Sequence, residues 1–113
     1  MLREDDVYIH HIIDAIRKAS LFVKDRKRND LNKDDMLSLS LVRLLEIIGE
    51  AASGVSEEYR EKYPDIPWRK MIGLRNRLIH GYFDINLDIV WDTVNTDLPP
   101  LLTNLEKIIE AGE

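Results

Sequence analysis

Apolar positions along this chain recur at helical spacing from one end to the other. In the first segment, about residues 4–24, Ile9, Ile12, Ile16, Ala19 and Val23 follow alternating steps of three and four, and Ile13 and Phe22 widen the stripe. This pattern predicts an amphipathic helix. Residues 25–34 are polar and rich in Asn and Asp, which predicts a loop ending in an N-cap near Asn32 or Asp34. From about 35 to 54, Leu37, Leu41, Leu44, Ile48, Ala51 and Val55 form one seam, with Met36, Val42, Leu45, Ile47 and Ala52 beside it. An apolar face this wide predicts the central, most buried helix, and Gly49-Glu50-Ala51-Ala52 within it permits close helix approach.

Ser56 is placed to cap a short helix from Glu57 to about Lys62, whose first-turn glutamates suit the helix dipole. The breaker Tyr63-Pro64-Asp65-Ile66-Pro67 follows, and Pro67 suits the first position of a helix running to about His80. Gly81 would give that helix a left-handed C-terminal cap, with His80 in its last turn. Asp84 or Asn86 caps a final helix in which Leu87, Trp91, Val94, Leu98, Leu101, Leu105 and Ile108 hold four-three spacing to the end. Pro99 and Pro100 cannot donate to the carbonyls of Asn95 and Thr96, so this helix is expected to kink or to form two nearly collinear pieces. No segment alternates as a strand does. The expectation is an all-α, up-and-down bundle of four main helices plus one short helix, a single domain over residues 1–113.

Composition narrows the function. The chain has 113 residues, 44% hydrophobic and 33% charged, which is ordinary for a soluble globular protein. It has no cysteine, which excludes disulfides, zinc-thiolate sites and cysteine nucleophiles. The acidic N-terminus resembles no signal peptide, and no apolar run approaches the ~20 residues needed to span a bilayer. A cytoplasmic protein without membrane contact is expected. A formal net charge of −5 argues against a general nucleic-acid coating protein. Charge is uneven, however: between Ile66 and Phe83 stand Arg69, Lys70, Arg75 and Arg77 with no carboxylate. A second cluster, Lys24, Arg26, Lys27 and Arg28, reads as a solvated loop. His10 and His11 lie about 100° apart around a helix, which does not suit a metal pair.

The candidate chemistry is concentrated in Arg75-Asn76-Arg77-Leu78-Ile79-His80-Gly81-Tyr82. Arginine binds phosphate oxygens through a planar fork, and histidine both takes and gives a proton near neutral pH. A phosphodiester-cleaving site needs both abilities and can manage without a metal. Asn76 and Arg77 neighbour His80 on a helix at four and three residues, whereas Arg75 is five away and about 140° round the axis. Arg75 must use its long stem, the last turn must distort, or two copies of the helix must combine across a two-fold axis. For RNA, His80 would act as general acid or base at the 2′-hydroxyl or the leaving 5′-oxygen, and Arg75 would stabilise the phosphorane. Asn76 would orient the phosphate or the imidazole, Arg77 and Lys70 are read as solvated or phosphate-positioning and not catalytic, and Tyr82 would position substrate. Glu50, beside the central seam, either reaches solvent, pairs with an arginine or orients a histidine. Arg and His near a helix C-terminus also arise for dipole reasons alone.

Arg75, His80 and Tyr82 match the R-x4-H-x-Y pattern of the HepT-like toxins, within the HEPN superfamily of small helical ribonucleases. The resemblance extends through Leu41-Val42-Arg43-Leu44-Leu45-Glu46-Ile47-Ile48-Gly49-Glu50-Ala51-Ala52, Ile66-Pro67-Trp68-Arg69, Val90-Trp91-Asp92 and Asp97-Leu98-Pro99-Pro100-Leu101-Leu102. It implies an all-α homodimer acting as a metal-independent endoribonuclease, with no cofactor and with the Arg and His of each chain in its cleft. It also implies a toxin–antitoxin pair in which a minimal nucleotidyltransferase antitoxin neutralises the toxin, in some systems by adenylylating the motif tyrosine, here Tyr82. Added bulk and negative charge at a cationic cleft would repel RNA. The alternative is a non-catalytic helical subunit that binds and regulates a nucleotidyltransferase or a nucleotide.

Overall fold

The computed structural model describes residues 4–80 and 84–112. Helix α1 (Glu4–Val23) and helix α3 (Asp35–Gly54) form the most extensive helix pair, and α3 also packs against the later helices at Trp68–Ile72, Leu74–Leu78 and Leu87–Asp92. Ile9, Ile12 and Ile16 of α1 and Leu41, Leu45 and Ile48 of α3 are all fully buried in one apolar cluster. The predicted central helix is therefore central. Asp34 caps it, its carboxylate accepting from the Leu37 amide at 3.0 Å. The loop before it contains one helical turn, α2 (Asp30–Lys33), that seals Leu31 into the core. Asp25 opens this loop in the left-handed region (φ 61°), which Asp tolerates better than most residues.

Ser56 caps α4 (Glu57–Lys62), its hydroxyl accepting from the Tyr59 amide at 3.2 Å. Asp5 of α1 holds this cap, accepting from the Ser56 amide and hydroxyl at 2.7 Å each. Arg60 donates to the carbonyls of Ala52 (3.3 Å) and Ser53 (3.0 Å), placing a cation at the C-terminus of α3. Trp68 is buried and donates its indole N–H to the Tyr63 carbonyl at 3.0 Å.

The expected helix from Pro67 to His80 is broken. It comprises α5 (Trp68–Ile72) and α6 (Leu74–Leu78), separated by Gly73, with φ −84° and ψ 2°. Glycine carries a helix penalty of about 1 kcal/mol relative to alanine, so a break falls there at least cost. Pro67 is the N-cap, one residue outside the helix. Beyond Leu78 the chain is extended: β1 (Ile79–His80) pairs antiparallel with β2 (Asp84–Ile85), setting Ile79 opposite Ile85 and His80 opposite Asp84. His80 is thus two residues past the helix end and not in its last turn. The Leu78 carbonyl, which a longer helix would have used internally, accepts instead from the Asn86 amide at 2.7 Å. The predicted Gly81 cap lies outside the described residues.

Asn86 caps α7 (Leu87–Asp92), accepting from the Ile89 amide at 3.1 Å. The chain stays helical into α8 (Leu98–Gly112), but Thr93–Asp97 is a π-helix in which the Leu98 amide bonds to the Thr93 carbonyl. The wide turn comes just before Pro99 and Pro100, which have no N–H for the carbonyls upstream. Its consequence is a shift of the seam. Val90, Val94, Leu98, Leu101 and Leu105 are buried, so the spacing runs four-four-three-four, and the expected Trp91 is only half-buried.

The architecture is an all-α bundle: α1, α3, the α5–α6 run and the α7–α8 run, with α4 and α2 as short additions. One cluster of buried apolar side chains joins all four runs. Among the described residues no helix is long and apolar enough to cross a membrane.

Candidate active site

Helix α6 turns Leu74 and Leu78 into the core and leaves Arg75, Asn76 and Arg77 exposed. Four-residue spacing of the two leucines dictates this: the three polar residues between them share the outer arc of the single turn. Arg75 leans toward α3 and donates from Nε to Glu46 Oε2 at 3.3 Å. Glu46 is the more enclosed partner, with 22% of its side chain exposed against 66% for Arg75. Arg75 and Arg77, two residues apart, project about 200° from one another around the helix. Arg77 accordingly lines the opposite flank, a cleft between α5–α6 and the π segment.

That cleft holds about 190 Å³. Met71, Leu74, Leu98 and Leu101 give it apolar walls, while Lys70, Arg77, Thr93, Thr96 and Asp97 supply polar groups. Among the described residues none of its three charged side chains is in an ion pair. It was not anticipated from the sequence. The one hint was the paired prolines, which forced the π turn that aligns Thr93, Thr96 and Asp97.

Glu50 is exposed and 3.4 Å from Arg43, another α3 residue, so it meets neither Arg75 nor Arg77 within ion-pair distance. The carboxylate that meets the candidate arginine is Glu46, one turn earlier. His80 is on β1 at the register position opposite Asp84. Tyr82 lies outside the described residues. His10 and His11 are both exposed on α1. The basic loop is tied down more than expected, with Arg28 on Asp88 at 2.7 Å and on Asn32 at 2.6 Å.

Exposed Met36 and Leu39 continue toward Arg43, Glu46 and Glu50 at steps of three and four along α3. One outward stripe of α3 thus runs from two bare apolar side chains to the carboxylate that holds Arg75.

The profile of the ribonuclease HepT-like family matches residues 12–108, and the chain belongs to that family. It is 36% identical over 106 residues to a protein named "Putative RNase" in Methanocaldococcus jannaschii, covering 94% of this chain and 97% of that one. A "Putative RNase" of Caldanaerobacter subterraneus subsp. tengcongensis is 37% identical over 103 residues, 91% and 92% of the two chains. The "Probable ribonuclease HepT" of Thermococcus cleftensis is 34% identical over 108 residues, 96% and 98% of the two chains. No solved structure gives a match.

Proposed function

We propose that this chain is the toxin of a toxin–antitoxin pair and acts as a metal-independent endoribonuclease, with Arg75 and His80 as its catalytic residues. The observation that carries this reading is the turn of α6, which exposes Arg75, Asn76 and Arg77 just ahead of His80. In the reaction, neutral His80 accepts the proton of a ribose 2′-hydroxyl, and the 2′-oxygen attacks the adjacent phosphorus. The resulting phosphorane carries extra negative charge on its equatorial oxygens, which the Arg75 guanidinium stabilises. Protonated His80 donates to the departing 5′-oxygen, leaving a 2′,3′-cyclic phosphate. Asn76 orients the phosphate, and Arg77 holds a neighbouring phosphate on the far flank of α6.

The functional unit is a homodimer. Support comes from the outward stripe of α3, where Met36 and Leu39 expose 81% and 58% of their surfaces on the same face as Glu46. A second copy covering that stripe would bring two Arg75 side chains toward one groove. Glu50 and Arg43 would lie at the edge of this contact. The partner is a minimal nucleotidyltransferase antitoxin that adenylylates Tyr82, adding a phosphate that repels RNA from the groove.

The Arg75–Glu46 ion pair favours a second reading, in which the arginine is structural and the chain is a non-catalytic subunit regulating a nucleotidyltransferase. Purified protein incubated with RNA in EDTA separates the two. Under the nuclease reading RNA is cleaved, and Arg75→Ala or His80→Ala abolishes both cleavage and the growth arrest that expression causes. Intact RNA with the wild-type protein would overturn it. Co-purification with the nucleotidyltransferase and intact mass then report added AMP on Tyr82, absent in Tyr82→Phe.

A further inference from the structure

The cleft on the Arg77 flank of α6 is the feature that the reaction above does not use. It is a mixed site, with buried Met71, Leu74, Thr93, Leu98 and Leu101 beside exposed Lys70, Arg77, Thr96 and Asp97, and its volume of about 190 Å³ falls short of the roughly 300–1,000 Å³ of pockets for drug-sized ligands. That size suits one planar base and excludes a whole dinucleotide. Two cations, Lys70 and Arg77, lie at the same opening as the carboxylate of Asp97, and they are not within ion-pair distance of it. Cations at the rim match the phosphates of a nucleic-acid strand. The carboxylate serves a different purpose. It has acceptors only, so it rewards a ligand edge that presents adjacent donors.

We propose that this cleft seats a guanine base of single-stranded RNA beside the cleavage point, and so sets sequence preference; the inference rests on the nuclease reading of α6. Among the four RNA bases, guanine alone carries neighbouring N1–H and N2–H2 donors on its Watson–Crick edge, matching the two oxygens of Asp97. The ring packs on Leu74 and Leu98, Thr96 supplies a further hydroxyl, and Lys70 and Arg77 hold the flanking phosphates. The strand then crosses the exposed turn of α6 from Asp97 on one flank to Arg75 on the other. Single-stranded RNA is ordinarily read this way, by splayed bases held on their edges.

The test uses the full chain and 2′-O-methyl oligouridine hexamers, which bind but have no 2′-hydroxyl to attack. A single guanosine is placed at each position in turn and compared with inosine, which lacks the 2-amino group, by fluorescence anisotropy. At one position guanosine is expected to bind about tenfold tighter than inosine, the size of one good hydrogen-bonded edge contact. Asp97→Asn should erase that difference, Thr96→Val should reduce it, and Lys70→Ala should weaken both oligomers alike. Equal binding of guanosine and inosine at every position overturns the proposal, as does a preference that survives both Asp97→Asn and Thr96→Val. Because binding is read without cleavage, guanine discrimination by a protein that cuts no RNA would sink the nuclease reading and leave only the guanine seat standing. Cleavage without discrimination would sink only this one.

Discussion

Arg75 and Glu46 show how differently single residues depend on their surroundings. Their ion pair is mostly open to water on the arginine side, so Glu46→Gln should cost no more than about 1 kcal/mol in a urea unfolding curve. If Arg75 is catalytic, the same substitution frees its guanidinium and changes the cleavage rate far more than the stability. Under the nuclease reading, His80→Ala is expected to lower cleavage by on the order of 10²–10⁴. Tyr59 gives a prediction independent of function. Burial, then Asp6, Tyr63 and Asp5, push its phenol up to about 12 from its ordinary value of 10.0. A raised pKa means that the fold favours the neutral phenol. Its contribution is complete below pH 10 and disappears as pH climbs through 12. Between pH 9 and 11 the wild-type urea midpoint should therefore fall further than that of Tyr59→Phe. At this scale the motif itself was legible in the sequence, because Arg, Asn and His declare their chemistry by type. Glu46 was not. Choosing it over Glu50 requires knowing the height at which α6 crosses α3, and no local pattern carries that.

Helices were readable where their signals are local. Asp34, Ser56 and Asn86 are caps by side-chain chemistry, and each caps the helix expected of it. The failures came where one element answers to another. Gly73 breaks the α5–α6 run, and the two-residue ladder captures Ile79 and His80 because Asp84 and Ile85 return alongside them. The seam of the last run moved from Trp91 to Val90 because the prolines widened the turn ahead of them. Arg60 closes the C-terminus of α3 through two carbonyls, and Arg60→Ala should destabilise by roughly 1.5–3 kcal/mol, the usual size for hydrogen bonds to a charged group. Gly49 sets the distance between α3 and α5. A Cβ there would lie 2.8 Å from the Met71 carbonyl oxygen, a backbone atom that cannot swing aside. Gly49→Ala should cost about 1–3 kcal/mol by overpacking, read as a lower denaturant midpoint.

At the scale of the whole molecule, the all-α bundle followed from helical periodicity in every segment and an absence of strand alternation. What periodicity does not encode is which outer surface meets another copy. If one groove takes Arg75 from one chain and His80 from its twin, mixing Arg75→Ala with His80→Ala protein should partly restore cleavage that each lacks alone. Sedimentation of the wild type at increasing concentration gives the corresponding mass. Met36→Lys with Leu39→Lys should shift that equilibrium toward single chains.

The π segment has a consequence for variants that change chain length. A π turn contains one amino acid more than the α turn it replaces, so Thr93–Asp97 has a surplus position. Deleting exposed Asn95 should let the backbone close into ordinary α geometry with α8 still seated on the core. Such a shortened protein would fold and keep Arg75 in place while bringing Thr93 and Asp97 out of line, so that the proposed base recognition is lost while the proposed catalytic residues are untouched.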